Sequence, residues 1–231
     1  KSIVNITTDK CYENDGRSEG YKENDAMGGY DPYSSSKGCA ELVTSSYRRS
    51  FLQEQGVGLA SVRAGNVIGG GDWADDRLIP DILRSFEKNE PVIIRNPKAT
   101  RPWQHVLEPL SGYLVLAQKM YRDQNKYAEG WNFGPNEQDV KSVDWILNKM
   151  IAKWPNSSWE LDSSSNPHEA NFLQLDISKA ESKLGWKPIW ELSHTLEKII
   201  DWHQAWINKE DMQTVCLSEI KAYMADMNNE V

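Results

Sequence analysis

The sequence predicts an α/β fold, part of a parallel sheet with its helices, followed by a smaller mixed α+β layer. An apolar run from Ile3 to Thr7 is followed by a polar loop and then by a helical segment from Asp31 to Gln55. A second apolar run, "VGLASVRAGNVI", comes directly after that helix, and strand, helix, strand in this order is the rhythm of a parallel sheet. Beyond Gly71 short strands and helices alternate less regularly, which marks a second layer.

Each element has a local reason. The first strand stops abruptly in Thr7, Thr8, Asp9 and Lys10. Asp31 is a good helix N-cap and Pro32 suits the first helical position. Ala40, Val43, Tyr47 and Phe51 recur at spacings of three and four, which predicts the buried face of that helix, and Gly56 ends it. Helices are expected in "LIPDILRSFEKN" and "VLEPLSGYLVLAQKMYRD", and strands in "PVIIRN" and "GWNFGP". Ser142 is expected to cap "VDWILNKMIAKW", whose Val143, Ile146, Leu147, Met150 and Ile151 share one face. "WELD" reads as a strand, and "ISKAESKLGW", "TLEKIIDWHQAW" and the final stretch as helices.

Composition excludes several function classes. A chain of 231 residues with net charge −8 is a poor partner for nucleic acid or an anionic membrane. No apolar run approaches the length of a membrane span, and no signal-peptide pattern opens the sequence. Cys11, Cys39 and Cys216 are odd in number and widely spaced, so they read as free thiols of a reducing, cytoplasmic compartment. The four histidines lack metal-ligand spacing. The ten tryptophans are expected mainly in packed cores.

The strongest chemical signal is Tyr33 with Lys37, four residues apart and so on one helical face. A phenol beside an ammonium ionises more readily, and a phenolate can take a proton from an alcohol. Read alone, Asp9 and Lys10 are better taken as a local ion pair in a surface loop. In "TRPWQHV", beside Trp103 and His105, the Arg101 guanidinium has the geometry for a diphosphate, with Arg95 a weaker candidate for the same face; either could also be a solvated surface charge. "GGGD" at Gly69 to Asp72 lacks the spacing of a dinucleotide-binding loop and reads as a turn leaving the sheet.

Taken together, "TTDKCYEN", "DPYSSSKG", "GNVIGGGDW", "RPWQHVLEPL" and "LGWKP" resemble the extended short-chain dehydrogenase/reductase family, nearly throughout the chain. Within it they are similar to the nucleotide-sugar 4,6-dehydratases, and the Asp-Lys pair after Thr8 is similar to the branch acting on CDP-glucose. The resemblance implies a Rossmann-like doubly wound parallel sheet with bound NAD and a smaller mixed α+β domain for a CDP-sugar substrate. Residues 1–70 would be the remainder of the NAD-binding domain, and 71–231 mainly the substrate domain, with segments near 105–135 returning to the sheet.

The resemblance also implies site roles. Tyr33 would be the base for the sugar hydroxyl on carbon 4, aided by Thr8, and Lys37 would hold the nicotinamide ribose. Lys10 would remove the proton on carbon 5, and Asp9 would protonate the hydroxyl leaving carbon 6. Asn66, Arg77, Leu78, Arg101 and Asn132 fall where relatives contact the sugar nucleotide. His168 lies in a matching stretch without a clear role. A nucleotide-sugar epimerase, a dTDP- or GDP-sugar dehydratase, or a non-catalytic nucleotide-sugar-binding fragment are the alternatives. The Asp-Lys pair argues against an epimerase.

No G-x-x-G-x-x-G occurs in the chain, so the first four strands of the family's sheet are expected to be missing and NAD binding by this chain alone to be weak. Ile3 to Thr7 would then be an aggregation-prone exposed edge. In the family the Tyr33 helix forms half of a dimer's four-helix bundle, which implies a homodimeric or homotetrameric parent enzyme. The implied setting is dideoxysugar synthesis for bacterial surface polysaccharide.

Overall fold

The computed structural model describes residues 1–162 and 173–229. In chain order the elements are β1 (Ser2–Ile6), α1 (Pro32–Tyr47), β2 (Gly58–Ala64), β3 (Asn66–Ile68), α2 (Leu78–Lys88), β4 (Val92–Ile94) and β5 (Thr100–His105). They continue with α3 (Leu107–Arg122), α4 (Gln124–Tyr127), β6 (Gly130–Phe133), β7 (Val140–Ser142), α5 (Val143–Ile151), β8 (Trp159–Leu161), α6 (Leu192–Ile207) and α7 (Met212–Asn229). The chain divides into two units, each assembled from separate stretches.

The first unit comprises, among described residues, 1–66, 108–135 and 173–188. Its sheet runs in the order β1-β2-β6, all parallel, with Ser2 opposite Gly58 and Ser61 opposite Gly130. Every residue of β2 is buried, as a central parallel strand requires. One core joins Ala60 and Val62 of β2 with Leu116 and Met120 of α3, Trp131 and Phe133 of β6, and Leu184 and Trp186 beyond them. A smaller cluster of Cys11, Tyr12, Tyr21, Leu173 and Leu175 lies under the polar loop.

Helix α1 forms where expected, with Asp31 capping the Ser34 amide at 3.0 Å and Pro32 in its first turn. Its buried face is different from the predicted one. Ser34, Gly38, Glu41 and Thr44 face inward, while Val43 (56% exposed), Tyr47 (56%) and Phe51 (55%) lie in solvent. Two physical requirements outrank apolarity here. Glu41 must meet the only strong base buried in β2, Arg63, at 2.8 Å. Gly38 brings the helix so close that a Cβ there would sit 3.3 Å from the Gly28 carbonyl oxygen. The helix continues past Tyr47 into a wider π turn, Arg48–Leu52.

The second unit comprises, among described residues, 67–107, 136–162 and 189–229. Strands β3, β5 and β7 make one small sheet, with β5 and β7 antiparallel, and β4 pairs with β8 in parallel. The core collects Ile82 and Phe86 of α2, Ile146, Leu147 and Met150 of α5, and Leu192, Leu196 and Ile199 of α6. Strand β5 was not legible as a strand. It starts in Thr-Arg-Pro, shows no apolar alternation, and is held between β3 and β7, with pairs such as Thr100 with Ser142 far downstream. The Gly-rich turn is a packing feature, since a Cβ at Gly70 would lie 2.3 Å from the Trp202 ring. Among the described residues no helix is long and apolar enough to cross a membrane.

Candidate active site

Strand β1 delivers the chain into a single tight turn that carries three of the expected site residues. Thr8 is the N-cap of a 3₁₀ turn, Asp9–Cys11, and its Oγ1 accepts from the Lys10 amide at 3.4 Å. The same hydroxyl donates to Asp9 Oδ1 at 2.9 Å. Asp9 is only 4% exposed, so it is not a surface-loop charge. Lys10 is partly exposed in the same turn.

The first turns of α1 carry the second group. Tyr33 is 56% exposed, and Lys37 Nζ lies 5.4 Å from the centre of its ring. Spacing of four residues therefore does what helix geometry predicts, placing an ammonium beside the phenol ring. Neither side chain is buried, so both remain open to a ligand.

A buried polar network lies beneath both groups, and sequence reasoning missed it. Glu41, 3% exposed, receives Arg63 Nε at 2.9 Å and Nη2 at 2.8 Å in a bidentate pair. Ser61 and Thr7 donate their hydroxyls to its two oxygens at 2.6 and 2.5 Å. Arg63 Nη1 donates to the Tyr12 hydroxyl at 2.5 Å and to the Glu23 carbonyl at 3.0 Å. Burial opposes the Glu41 charge, but the Arg63 guanidinium and the two hydroxyls overcome it and hold the carboxyl below its usual value. Burial equally opposes the Arg63 charge, and Glu41 more than restores it. A signal was available, because an arginine inside an otherwise apolar strand needs a buried carboxylate.

Asn132 lies inside the fold. It is wholly buried, its Nδ2 donates to the Tyr21 and Asp176 carbonyls at 2.8 and 3.2 Å, and its Oδ1 accepts from Tyr12 at 2.7 Å. Both polar atoms of its side chain are thus engaged within the fold. Asn66 opens β3 and is partly exposed.

In the second unit Arg77 is exposed at the N-cap of α2 and pairs with Asp72 at 3.3 Å, and Leu78 packs against the core. Arg95 is exposed, with Asp162 at a long 3.9 Å. Arg101 is partly exposed on β5 and its Nη1 donates to the Thr100 carbonyl at 2.8 Å. Trp103 belongs to the core. His168 lies outside the described residues.

The thiols differ sharply. Burial pushes Cys11 up to about 12, with Arg63 only partly offsetting it, while Cys39 is exposed on α1. A thiol reagent at neutral pH is expected to modify Cys39 rapidly and Cys11 only on unfolding; rapid labelling of Cys11, read by peptide mapping, would contradict this packing.

Comparison with known proteins agrees with this architecture. A CDP-glucose 4,6-dehydratase of Salmonella typhimurium is 60% identical over 97% of the chain, and the chain spans 64% of that relative's length. A dTDP-glucose 4,6-dehydratase from Bacillus anthracis, solved in complex with NAD, superposes with a TM-score of 0.71 at 19% identity, covering 88% of this chain and 61% of that one. A UDP-glucuronic acid 4-epimerase from Bacillus cereus, in complex with UDP-glucuronic acid and NAD, gives 0.71 at 20% identity, covering 89% and 62%. These structural likenesses place the first unit's parallel sheet and its helices in the Rossmann-type α/β fold. The profile of the GDP-mannose 4,6 dehydratase family matches residues 1–199, and the chain belongs to that family.

Proposed function

We propose that this chain forms the catalytic wall and the sugar-nucleotide-binding layer of an NAD-dependent CDP-glucose 4,6-dehydratase. The observation that carries the reading is the Thr8-Asp9-Lys10 turn in the same unit as the Tyr33–Lys37 pair, in a chain 60% identical to an enzyme of that name. The open Tyr33 ring with an ammonium beside it suits a ribose and a substrate hydroxyl, so these residues fit NAD. A bound NAD would supply the hydride acceptor for carbon 4 and the hydride donor for carbon 6, with a proton returning to carbon 5 as the double bond is reduced.

The chain's own residues handle the protons. Tyr33 takes the proton from the carbon 4 hydroxyl, and Thr8 orients that hydroxyl. The resulting ketone acidifies the hydrogen on carbon 5, which Lys10 removes. Asp9 supplies a proton to the hydroxyl leaving carbon 6, so water departs and the double bond forms between carbons 5 and 6. In the second unit Arg101, with Arg95 as the weaker candidate, would bind the diphosphate as guanidinium groups do, and Arg77 with Leu78 would face the nucleotide. Asn66 would contact the sugar nucleotide, and the second unit would be mainly its binding domain.

The exposed apolar stripe of α1, with Leu42, Val43, Tyr47 and Phe51, supports a homodimeric or homotetrameric enzyme that buries this face. A cytoplasmic enzyme supplying dideoxysugars for lipopolysaccharide O-antigen fits the free thiols and the product. The test is to incubate the full-length protein carrying this chain with CDP-glucose and with dTDP-glucose and follow the absorbance of the 4-keto product. Turnover of CDP-glucose alone is expected; turnover of neither overturns the reading.

A further inference from the structure

We infer that the Glu41–Arg63 ion pair is a positioning device that sets the spacing between the Thr8-Asp9-Lys10 turn and the Tyr33–Lys37 pair, an inference that rests on the dehydratase reading above. The turn is clamped on both sides. Thr7, immediately before it, donates its hydroxyl to Glu41 Oε1 at 2.5 Å. Tyr12, immediately after it, accepts from Arg63 Nη1 at 2.5 Å and donates to Asn132 at 2.7 Å. The Tyr12 ring is further fixed by stacking on Tyr21, with centroids 5.3 Å apart.

The other end of the device is α1. Tyr33, Lys37 and Glu41 recur every four residues and form one row along the helix. A displacement of Glu41 therefore moves the helix that carries the tyrosine, and a displacement of its hydroxyl partners moves the turn. The pair thus joins the residue that starts the reaction to those that complete the elimination.

Stability alone is a poor account of this pair. Burying two charges costs nearly as much as their attraction returns, and a well-packed apolar substitute often serves a core as well. What an apolar substitute cannot do is bind hydroxyls from two sides of a turn with fixed direction. The bidentate fork of arginine and the two carboxylate oxygens can.

Tyr12→Phe and Thr7→Val in the full-length protein remove one tether each and keep the packing. Expected are a fall in kcat of about tenfold to a hundredfold for CDP-glucose with KM changed by less than about twofold. Reduced cofactor should build up by its near-ultraviolet absorbance, because Tyr33 stays in place while Asp9 and Lys10 drift. Amide exchange at Lys10 and Cys11, measured without cofactor or substrate, should quicken, and Thr7→Ser should restore all three readouts. A merely structural role would lower the urea midpoint but leave kcat per folded molecule and the cofactor spectrum unchanged. The inference is overturned if both variants exchange these amides at the wild-type rate. It is overturned equally if kcat per folded molecule stays within about twofold. Should the wild-type protein not dehydrate CDP-glucose, the dehydratase reading fails, and amide exchange still decides whether the pair holds the turn.

Discussion

Replacing Arg63 with methionine is expected to cost the protein about 3–5 kcal/mol of unfolding free energy, the usual effect of stranding one member of a buried ion pair. Glu41 would keep its burial and lose both guanidinium hydrogen bonds, with Thr7 and Ser61 as the donors that remain. Replacing both partners, Arg63→Met with Glu41→Leu, should recover most of the loss, because no charge is then left in the core. The urea midpoint multiplied by the slope measures both. A single variant within about 1 kcal/mol of wild type would show that water reaches Glu41 and that the pair is not buried as described.

The same pair predicts a pH dependence with a definite sign. The Glu41 carboxyl is held below its ordinary value of 4.5 in the folded chain. The unfolded chain therefore takes up this proton first as the solution is acidified. The contribution of Glu41 is fully present above pH 4.5 and is lost as pH falls toward the folded value. In the Arg63→Met variant the penalty should instead shrink on acidification, since a protonated Glu41 is cheaper to bury.

The second large effect concerns the turn itself. In the full-length protein Lys10→Ala and Asp9→Asn should each lower dehydration of CDP-glucose by about 10²–10⁴, the range for removing one general acid or base. Transient reduction of the cofactor should survive in both, because Tyr33 and Lys37 are untouched. Product formation at the wild-type rate in both variants would remove Lys10 and Asp9 from the roles proposed for them. Loss of the transient as well would place them in the oxidation step instead.

Much of this fold was readable because most elements announce themselves locally. Asp31 and Pro32 start α1, a period near 3.6 marks α5, and a continuous apolar run marks β2. What was not readable depends on distant partners. The strand β5 exists because β3 and β7 pair with it, and its own residues carry no alternation. The inward face of α1 is chosen by Arg63 and by the approach at Gly38, so the apolar stripe that periodicity marks as core stands in solvent. The site divides in the same way. Tyr33 and Lys37 stand out by their spacing, while Thr8, Asp9 and Lys10 are marked only by the resemblance to a family. Glu41 and Tyr12 stand out by neither, because what they bind is Arg63 in β2, far from both in sequence. The bonds that hold the Asn132 amide are likewise visible only in the folded chain.

The interleaving of the two units bears on how such a chain reaches its native state. The chain leaves the first unit after Asn66, returns at Glu108, and leaves again after Pro135. The hydrogen bond from Tyr12 to Asn132 closes a separation of 120 residues. The polar knot around Arg63 therefore cannot be completed while only the first third of the chain has emerged from the ribosome. Until β6 arrives, Tyr12 lacks its acceptor and β2 lacks a neighbour on one side. Contacts of such long sequence range slow folding, because the entropy of closing the loop is lost before the contact is made. Nascent chains of this kind spend that interval with a charged pair and an apolar strand half covered, the period in which a holding chaperone would have most to protect.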